Sequence, residues 1–214
     1  RFAEPSKYSL KKLIVSTSDE PGEGEHKLYK YIRDNAEEHK DYTTVIYGLD
    51  ADLIMLTLNH LHIADSMFLF RETPHFIKSL DKSLNPNSDY LMDIPKFATA
   101  LSYDLNDNRK PETSQKLNRI FDYILLCFFM GNDFLPHFPA LNIRTTGIDR
   151  IMDAYKSVVG NTNENLTEGG SIKWKNLRKV IMLLASSEEK LIHEEYQIRE
   201  KQSRGTRNRC SEME

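Results

Sequence analysis

Apolar and polar residues follow two alternating periods along the first third of the chain, which predicts strands and helices in turn. Short apolar runs indicate strands, and Leu28, Tyr31 and Ile32 share one face of a predicted helix. The predicted order is strand 12–16, helix 23–35, strand 43–49, helix 52–59 and strand 66–71. This alternation indicates an α/β fold, in which a parallel sheet carries helices on its faces.

The pattern changes after the third predicted strand. The stretch 75–92 contains Pro86 and several serine and asparagine residues, which is typical of a connecting loop. Apolar residues over 117–128 recur at steps of 3 and 1, which predicts a helix with a wide face for burial. The other predicted helices are 93–103, 148–159 and 174–202, and the polar tail 203–214 is expected to fray.

Composition narrows the class of protein only slightly. A net charge of −3 and a pI of about 6.2 predict no general attraction to a polyanion, although acidic residues gathered at a metal site would fit a nuclease. Cys127 and Cys210 are too few for a disulfide framework, which favours a reducing compartment. The longest apolar run, 123–130, is far shorter than the roughly 20 residues of a membrane span, so no membrane association is expected.

Because the chain begins with Arg1, we expect a processed chain or a piece of a longer one.

Acidic residues lie at the edges of the predicted elements. Asp50 and Asp52 follow the second predicted strand, Glu23 and Glu25 start a helix, and Asp133 follows the long apolar helix. In an open parallel sheet, ligands bind at the carboxyl ends of the strands. Residues two apart in an extended chain project to the same side, so both aspartates can face one ion or two adjacent ions.

The segment around Glu23 and Glu25 has the same spacing on a backbone that contains Gly22 and Gly24. Glycines leave room for a metal ion or a phosphate to approach closely. Carboxylate oxygens select Mg²⁺ or Mn²⁺ over zinc, and two such ions can activate a water and stabilise the leaving oxygen in phosphodiester cleavage. The ordinary alternative stays open, because the chain has 32 acidic residues and Glu25 also suits a helix N-terminus.

Three segments resemble signature segments of the Xrn family of 5′-to-3′ exoribonucleases, and they occur in the family's order. They are Pro-Gly-Glu-Gly-Glu-His-Lys at 21–27, Tyr-Gly-Leu-Asp-Ala-Asp-Leu-Ile-Met-Leu at 47–56, and Cys-Phe-Phe-Met-Gly-Asn-Asp-Phe-Leu-Pro-His at 127–137. The resemblance covers residues 12–155 and implies a PIN-like nuclease core related to flap endonucleases.

The resemblance implies a metal-dependent enzyme that hydrolyses single-stranded RNA from a 5′-monophosphate end, with Mg²⁺ or Mn²⁺ in a two-metal site. It carries catalytic and metal-binding roles over to Glu23, Glu25, Asp50, Asp52 and Asp133. The implied organisation is 1–74 as the C-terminal part of the nuclease α/β core, 75–92 as a connecting loop, 93–160 as the helical part of the core and 161–214 as a helical extension.

The chain departs from the family pattern in two places. The family's opening region supplies two further metal-binding aspartates and the pocket for the 5′ phosphate, and it has no counterpart before Arg1. The resemblance therefore implies that residues outside this chain complete the site and that the chain by itself is inactive. No cysteine lies between Arg71 and Leu126, where nuclear-type members carry a zinc knuckle, which favours a cytoplasmic location over the nuclear alternative.

Four further residues are candidates for contacts with nucleic acid, namely Lys27, Arg71, Thr146 and Gly147. The two basic residues can contact phosphates, although each is by default a solvated charge. The amides of Thr146 and Gly147 precede a predicted helix and can bind a backbone phosphate, and an ordinary helix cap explains them equally well.

Nearby aromatic and imidazole side chains have structural interpretations. His26 and His137 lie beside acidic candidates, but a histidine at a helix start or a turn is more often a hydrogen-bonded structural residue. Trp174 is expected in the core rather than as a platform for stacked bases.

Two other functions stay open. A flap-type, structure-specific DNA endonuclease has a related core, and comparing single-stranded RNA with flapped DNA as substrates would distinguish it. A non-catalytic RNA-binding or scaffold domain that keeps the nuclease fold is the other alternative, and it predicts no saturable binding of Mn²⁺. The acidic positions argue against a scaffold, because binding a polyanion does not need clustered carboxylates.

Overall fold

A three-stranded sheet organises the first part of the fold. Its strands are β1 (Thr44–Tyr47), β2 (Met67–Arg71) and β3 (Tyr90–Asp93), in that spatial order. β1 runs parallel to β2 with Thr44 opposite Met67, whereas β3 runs antiparallel to β2. The predicted α/β class is confirmed, but the sheet is mixed rather than purely parallel.

The computed structural model describes residues 5–48, 50–71, 73 and 77–211, and the chain divides into two units, 1–94 and 95–214. The helices, in chain order, are α1 (Gly24–Asp34), α2 (Ala36–His39), α3 (Asp52–Asn59), α4 (Ile77–Leu80), α5 (Ile94–Leu105), α6 (Thr113–Phe128), α7 (Gly147–Tyr155), α8 (Trp174–Ala185) and α9 (Glu188–Ser211). A 3₁₀ turn at Pro5–Tyr8, a π-helical turn at Lys156–Gly160 and a hairpin of β4 (Thr167–Glu168) and β5 (Ser171–Ile172) complete the described elements. Among the residues described, no helix combines the length and apolar character needed to cross a bilayer.

The strand predicted over 12–16 is wrong. These residues pair with no strand in the described part of the chain, and Leu13, Ile14 and Val15 are 43%, 52% and 45% exposed. A strand exists only where a neighbouring strand completes its backbone hydrogen bonds. An apolar run alone does not supply that neighbour.

The predicted connecting loop 75–92 is not a continuous loop, because it contains α4 and most of β3. The strand was missed because it has only four residues, whose side chains do not alternate between buried and exposed. Its pairing with β2 defines it. Asp93, expected to cap a helix, still pairs with Phe68 in the sheet, so α5 starts one residue later. Residues 75 and 76 lie outside the described residues.

The helical pattern 174–202 is divided between α8 and α9, with Ser186 and Ser187 at the break. The hydroxyls of both serines donate to carbonyls in the last turn of α8, at 2.6 and 3.3 Å. Hydroxyl groups that bind nearby carbonyls compete with the helical backbone bonds, which explains the break. α9 continues to Ser211, so most of the tail that was predicted to fray is helical, and 212–214 lie outside the described residues.

A buried hydrogen bond joins α1 to α3 in the first unit. Tyr29 is 1% exposed, and its hydroxyl donates to the Leu53 carbonyl at 3.2 Å and lies 2.5 Å from the Thr57 hydroxyl. Burial raises the pKa of Tyr29 to about 12, so the hydroxyl keeps its proton at neutral pH. Glu25 lies one turn before Tyr29, and Asp52 lies directly before Leu53. The bond therefore holds together the two helix starts that carry acidic residues.

His60, directly after α3, is a buried histidine held in its neutral form. Its Nδ1 lies 2.6 Å from the Leu56 carbonyl and donates to it, so its Nε2 accepts from the Arg33 guanidinium at 2.8 Å. Burial lowers the pKa of His60, and the positive charge of Arg33 lowers it further.

The free energy of unfolding is expected to fall as the pH drops below about 6.5, because the unfolded chain then binds a proton that native His60 resists. This contribution is complete above the unfolded pKa and is lost as the pH falls through the lowered native pKa. Denaturant unfolding followed from about pH 8 to pH 5 measures the slope. His60→Phe should flatten it, and the control His193→Gln, at an exposed histidine, should not. An unchanged slope in His60→Phe would contradict the assignment.

In the second unit, α6 ends at Phe128 as predicted but begins four residues before the predicted start at 117, and it also buries two charged residues that the sequence did not predict. Arg119 is fully buried, and its guanidinium donates to Asn106 Oδ1 at 3.0 Å and to the Tyr155 hydroxyl at 2.6 Å. It also donates to the carbonyls of Thr162 and Glu164, at 2.7 and 2.8 Å. Arg119 thus fixes the loop that follows the π-helical turn.

Asp122, one turn further along α6, is also fully buried. Its carboxylate accepts from the Tyr155 hydroxyl at 2.7 Å and from the amides of Leu166 and Thr167 at 2.9 and 2.8 Å. Burial raises the pKa of Asp122, and these donors oppose that shift. Because Tyr155 bonds to both charged residues, the pair forms one network that attaches the loop 160–167 to α6.

Candidate active site

Three carboxylates of the first unit meet at the starts of α1 and α3. Glu25 lies in the first turn of α1, Asp52 is the first residue of α3, and Asp50 lies just before it. Ligand oxygens of these three residues lie within 4.8 Å of one another. Two parts of the chain separated in sequence therefore supply one acidic group.

A second group shares Glu25 with the first. Ligand atoms of Glu23, Glu25 and His26 also lie within 4.8 Å of one another. The sequence already placed His26 directly after Glu25, and its interpretation as a structural residue stays a prediction.

The carboxylates repel one another in the absence of a cation. The pKa of Glu25 is raised, mainly by partial burial and then by the negative charges of Asp52, Glu23 and Asp50, while His26 opposes the shift. A group of like charges at this spacing is a cost to the folded chain. A divalent cation would remove that cost, because it would favour the charged form of each carboxylate.

Asp52 Oδ1, one oxygen of the group, is buried and has no hydrogen-bond partner among the described residues. Buried polar atoms are normally paired, so an orphaned carboxylate oxygen indicates a missing donor or cation. Its chemistry fits Mg²⁺ or Mn²⁺, which take oxygen ligands. The donor set at Glu25, Asp50 and Asp52 therefore fits a divalent metal ion.

Lys27 has a structural role at this site. Its Nζ donates to the carbonyls of Thr17 and Glu20, at 2.9 and 3.1 Å, and so attaches the loop before α1 to the helix. The predicted contact of Lys27 with a phosphate would compete with these two bonds. Arg71, at the end of β2, is exposed, and its contact with nucleic acid stays a prediction.

Asp133 lies in the second unit, on an exposed and tightly folded turn after α6. Asn132 Oδ1 accepts from the amides of Phe134 and Leu135, at 2.9 and 2.8 Å. Gly131 has φ +82°, and a Cβ there would lie 2.7 Å from the backbone nitrogen of His137. The turn thus fixes the backbone at Asp133, and its place beside the other four acidic residues stays a prediction.

The start of α7 offers less to a phosphate than the sequence predicted. The amide of Gly147 donates to the Asn142 carbonyl at 3.0 Å, and a Cβ on this glycine would lie 2.6 Å from the Leu141 carbonyl carbon. Gly147 is buried, so its amide is not free for a ligand. Thr146, exposed at the N-cap, makes no side-chain capping bond, and its contact with nucleic acid stays a prediction.

The placement of Trp174 in the core is wrong. Its side chain is 70% exposed, at the first position of α8. Large aromatic residues are usually buried, which is why the sequence favoured the core. Leu177 and Val180, further along α8, are buried instead.

Comparison with known proteins matches both ends of the chain to one family. Residues 1–73 match the family model described as the XRN 5′-3′ exonuclease N-terminus, and residues 114–214 match the model described as the Xrn1 helical domain. The two models together account for most of the chain, and they occur in the same order as the segments quoted above.

Curated relatives agree with the family models. The 5′-3′ exoribonuclease 1 of Schizosaccharomyces pombe is 32% identical over 91% of this chain and 15% of its own length. The 5′-3′ exoribonuclease 2 of Arabidopsis thaliana is 29% identical over 90% of this chain and 22% of its own length. The 5′-3′ exoribonuclease 2 homolog of Drosophila melanogaster is 32% identical over 84% of this chain and 23% of its own length. The chain thus spans about a fifth of the length of the relatives it matches.

Proposed function

This chain belongs to the Xrn family of 5′-3′ exoribonucleases, and from that premise we propose that it contributes to the catalytic core of a metal-dependent exoribonuclease. The proposed enzyme hydrolyses RNA phosphodiester bonds stepwise from a 5′-monophosphate end. The names of the relatives support the class of substrate and the direction. The dependence on metal is supported by the chemistry of the acidic group.

The single observation that carries the proposal is the convergence of Glu25, Asp50 and Asp52, with the buried Oδ1 of Asp52 lacking a partner among the described residues. A scaffold that only binds RNA would gain nothing from this group, because uncompensated carboxylates repel a phosphate backbone. Clustered carboxylates repel one another without a cation, and their oxygens are suitable ligands for a divalent ion. Such a group is expected of a metal-dependent hydrolase.

In this proposal Glu25, Asp50 and Asp52 hold the ion, and Glu23 lies beside them. Asp133 is proposed as a further ligand from its position in the family segment. A bound Mg²⁺ or Mn²⁺ supplies Lewis acidity that polarises the scissile phosphate. The chain supplies the fixed geometry, because the Tyr29 bond joins the helix starts that carry the carboxylates.

The test is titration of the full-length protein with Mn²⁺, followed by calorimetry. Saturable binding is expected, and Glu25→Gln should weaken it by at least about tenfold, since even partners one step removed from a metal change affinity by roughly 10- to 100-fold. Glu38→Gln, at an exposed acid of α2, is the matched control and should bind as the unmodified protein does. Absence of saturable binding would favour the scaffold alternative.

The same protein should degrade RNA that carries a 5′ monophosphate faster than RNA with a 5′ hydroxyl. Single-stranded RNA and flapped DNA are compared in parallel, with Mn²⁺ present and with EDTA. Faster cleavage of flapped DNA would identify the flap-type endonuclease instead.

A further inference from the structure

A polar cleft of about 540 Å³ opens in the second unit, and none of the acidic residues discussed above lines it. Its lining includes Lys110, Ser114, Asn118, Asn163 and Asn165. Amides and hydroxyls both donate and accept hydrogen bonds, so the lining suits a ligand with several polar groups. Its chemistry is unlike that of an apolar groove for a protein partner.

Asn165, in the lining, is 6% exposed, and its side-chain Oδ1 is buried without a hydrogen-bond donor among the described residues. The backbone carbonyl of Asn165 accepts from Asn176 Nδ2 at 2.9 Å, which fixes the chain at this position. The unpaired oxygen is therefore an unsatisfied acceptor on a fixed backbone beside the cleft, and a hydroxyl or amino group of a ligand would satisfy it.

The start of α6 supplies hydrogen-bond donors, whereas Asn165 Oδ1 is an acceptor. α6 has 16 residues, and Glu112 before it makes no side-chain capping bond. The first amides of a helix have no partner within the helix, and they lie at the positive end of its dipole. Ser114, in this first turn, and Lys110, just before it, both line the cleft. This end of the cleft therefore suits a phosphate.

The charges of the lining favour a single phosphate. Glu168 is paired with Lys173 at 2.9 Å. The remaining charged residues of the lining are one carboxylate, Glu112, and two cations, Arg109 and Lys110, so the net charge of the lining is weakly positive. It suits one phosphate group better than a long polyanionic strand.

The buried network described above forms the wall of the cleft. Asn106, which lines the cleft, accepts from Arg119, and Arg119 also binds the Thr162 carbonyl in the loop that carries Asn163 and Asn165. The lining is thus held in place before any ligand arrives. A preformed site avoids part of the entropic cost of binding.

We propose that this cleft binds one ribonucleotide unit, with its phosphate at the start of α6 beside Lys110 and a hydroxyl or amino group at Asn165 Oδ1. The choice of a ribonucleotide rests on the proposed function. The unit is either a free nucleoside monophosphate or one nucleotide of an RNA strand, since both present the same groups.

The test measures binding to the full-length protein in EDTA, so that no divalent metal ion contributes. The probes are adenosine 5′-monophosphate and a short oligouridylate with a 5′ hydroxyl, each titrated by calorimetry. Lys110→Ala and Asn118→Ala should each weaken binding by about tenfold, the loss of one charge-assisted or well-placed hydrogen bond. Lys175→Ala, at an exposed lysine outside the cleft, is the matched control.

Binding of the monophosphate identifies a free nucleotide as the ligand, and binding of the oligouridylate alone identifies a nucleotide of the strand. Either result supports the proposed binding site if Lys110→Ala and Asn118→Ala weaken the binding. The proposal would be overturned if neither probe binds, or if Lys175→Ala weakens binding as much as those two substitutions do.

The outcome is independent of the metal centre. Asp50→Ala with Asp52→Ala should keep nucleotide binding in EDTA. If the unmodified full-length protein binds nucleotide in the cleft but fails to hydrolyse RNA with Mn²⁺, the result contradicts the proposed function and leaves the cleft proposal standing.

Discussion

Replacing Asp50 and Asp52 together by alanine is expected to abolish RNA hydrolysis by the full-length protein while leaving its fold intact. The two residues supply two of the three carboxylates whose oxygens lie within 4.8 Å of one another. Loss of two proposed ligands should exceed the roughly 10- to 100-fold loss caused by changing groups that only contact the ligands of a metal. The measurement is release of nucleotides from 5′-monophosphorylated RNA with saturating Mn²⁺.

The thermal stability of the same variant shows whether activity is lost because the site is removed or because the protein unfolds. The double variant removes like charges that raise the pKa of Glu25, so its melting temperature in EDTA should equal or exceed that of the unmodified protein. Glu38→Gln, away from the group, should keep full activity. Hydrolysis at an undiminished rate by Asp50→Ala with Asp52→Ala would refute the assigned roles.

Replacing Arg119 by leucine is expected to lower the free energy of unfolding by about 3–5 kcal/mol, because it leaves the buried charge of Asp122 without its cationic partner. Both side chains are fully buried, and the network between them runs through the Tyr155 hydroxyl. The variant also removes the donors that hold the Thr162 carbonyl. Denaturant unfolding of the full-length protein, followed by a probe in the second unit, measures the loss.

An exposed ion pair from the same region provides the control. Lys179 lies 2.7 Å from Glu164, and both side chains are partly solvated. Lys179→Ala should therefore cost no more than about 1 kcal/mol. Arg119→Leu with Asp122→Leu should recover part of the loss, since no unpaired charge is left behind. A loss in Arg119→Leu as small as that in Lys179→Ala would show that the network does not stabilise the fold.

The catalytic candidates were visible in the sequence because they follow element boundaries. Glu25 and Asp52 start helices whose apolar periodicity marks their positions, and Asp50 lies two residues before Asp52. The long apolar periodicity also predicted α6 and its end at Phe128, although the helix begins at Thr113, before the first apolar position of the pattern. The strand predicted over 12–16 failed because an apolar run does not specify a hydrogen-bonding partner.

The roles of Arg119 and Asp122 were not accessible, because a charged residue on a helix is by default exposed. Their burial depends on a loop that lies more than 40 residues later in the chain and supplies the carbonyls and amides that satisfy them. The unpaired oxygens of Asp52 and Asn165 could not be predicted either, because only the folded structure shows which buried atoms lack a hydrogen-bond partner among the described residues.

The sequence by itself determined the α/β class and the family and identified the acidic candidates, because periodicity and short segments are local properties of the chain. Tertiary structure alone decided that the sheet is mixed, that Glu25 meets Asp50 and Asp52, and that a polar cleft with a fixed wall exists. Those features depend on which distant segments pack together. Such packing is set by the free energy of the whole fold rather than by any one segment.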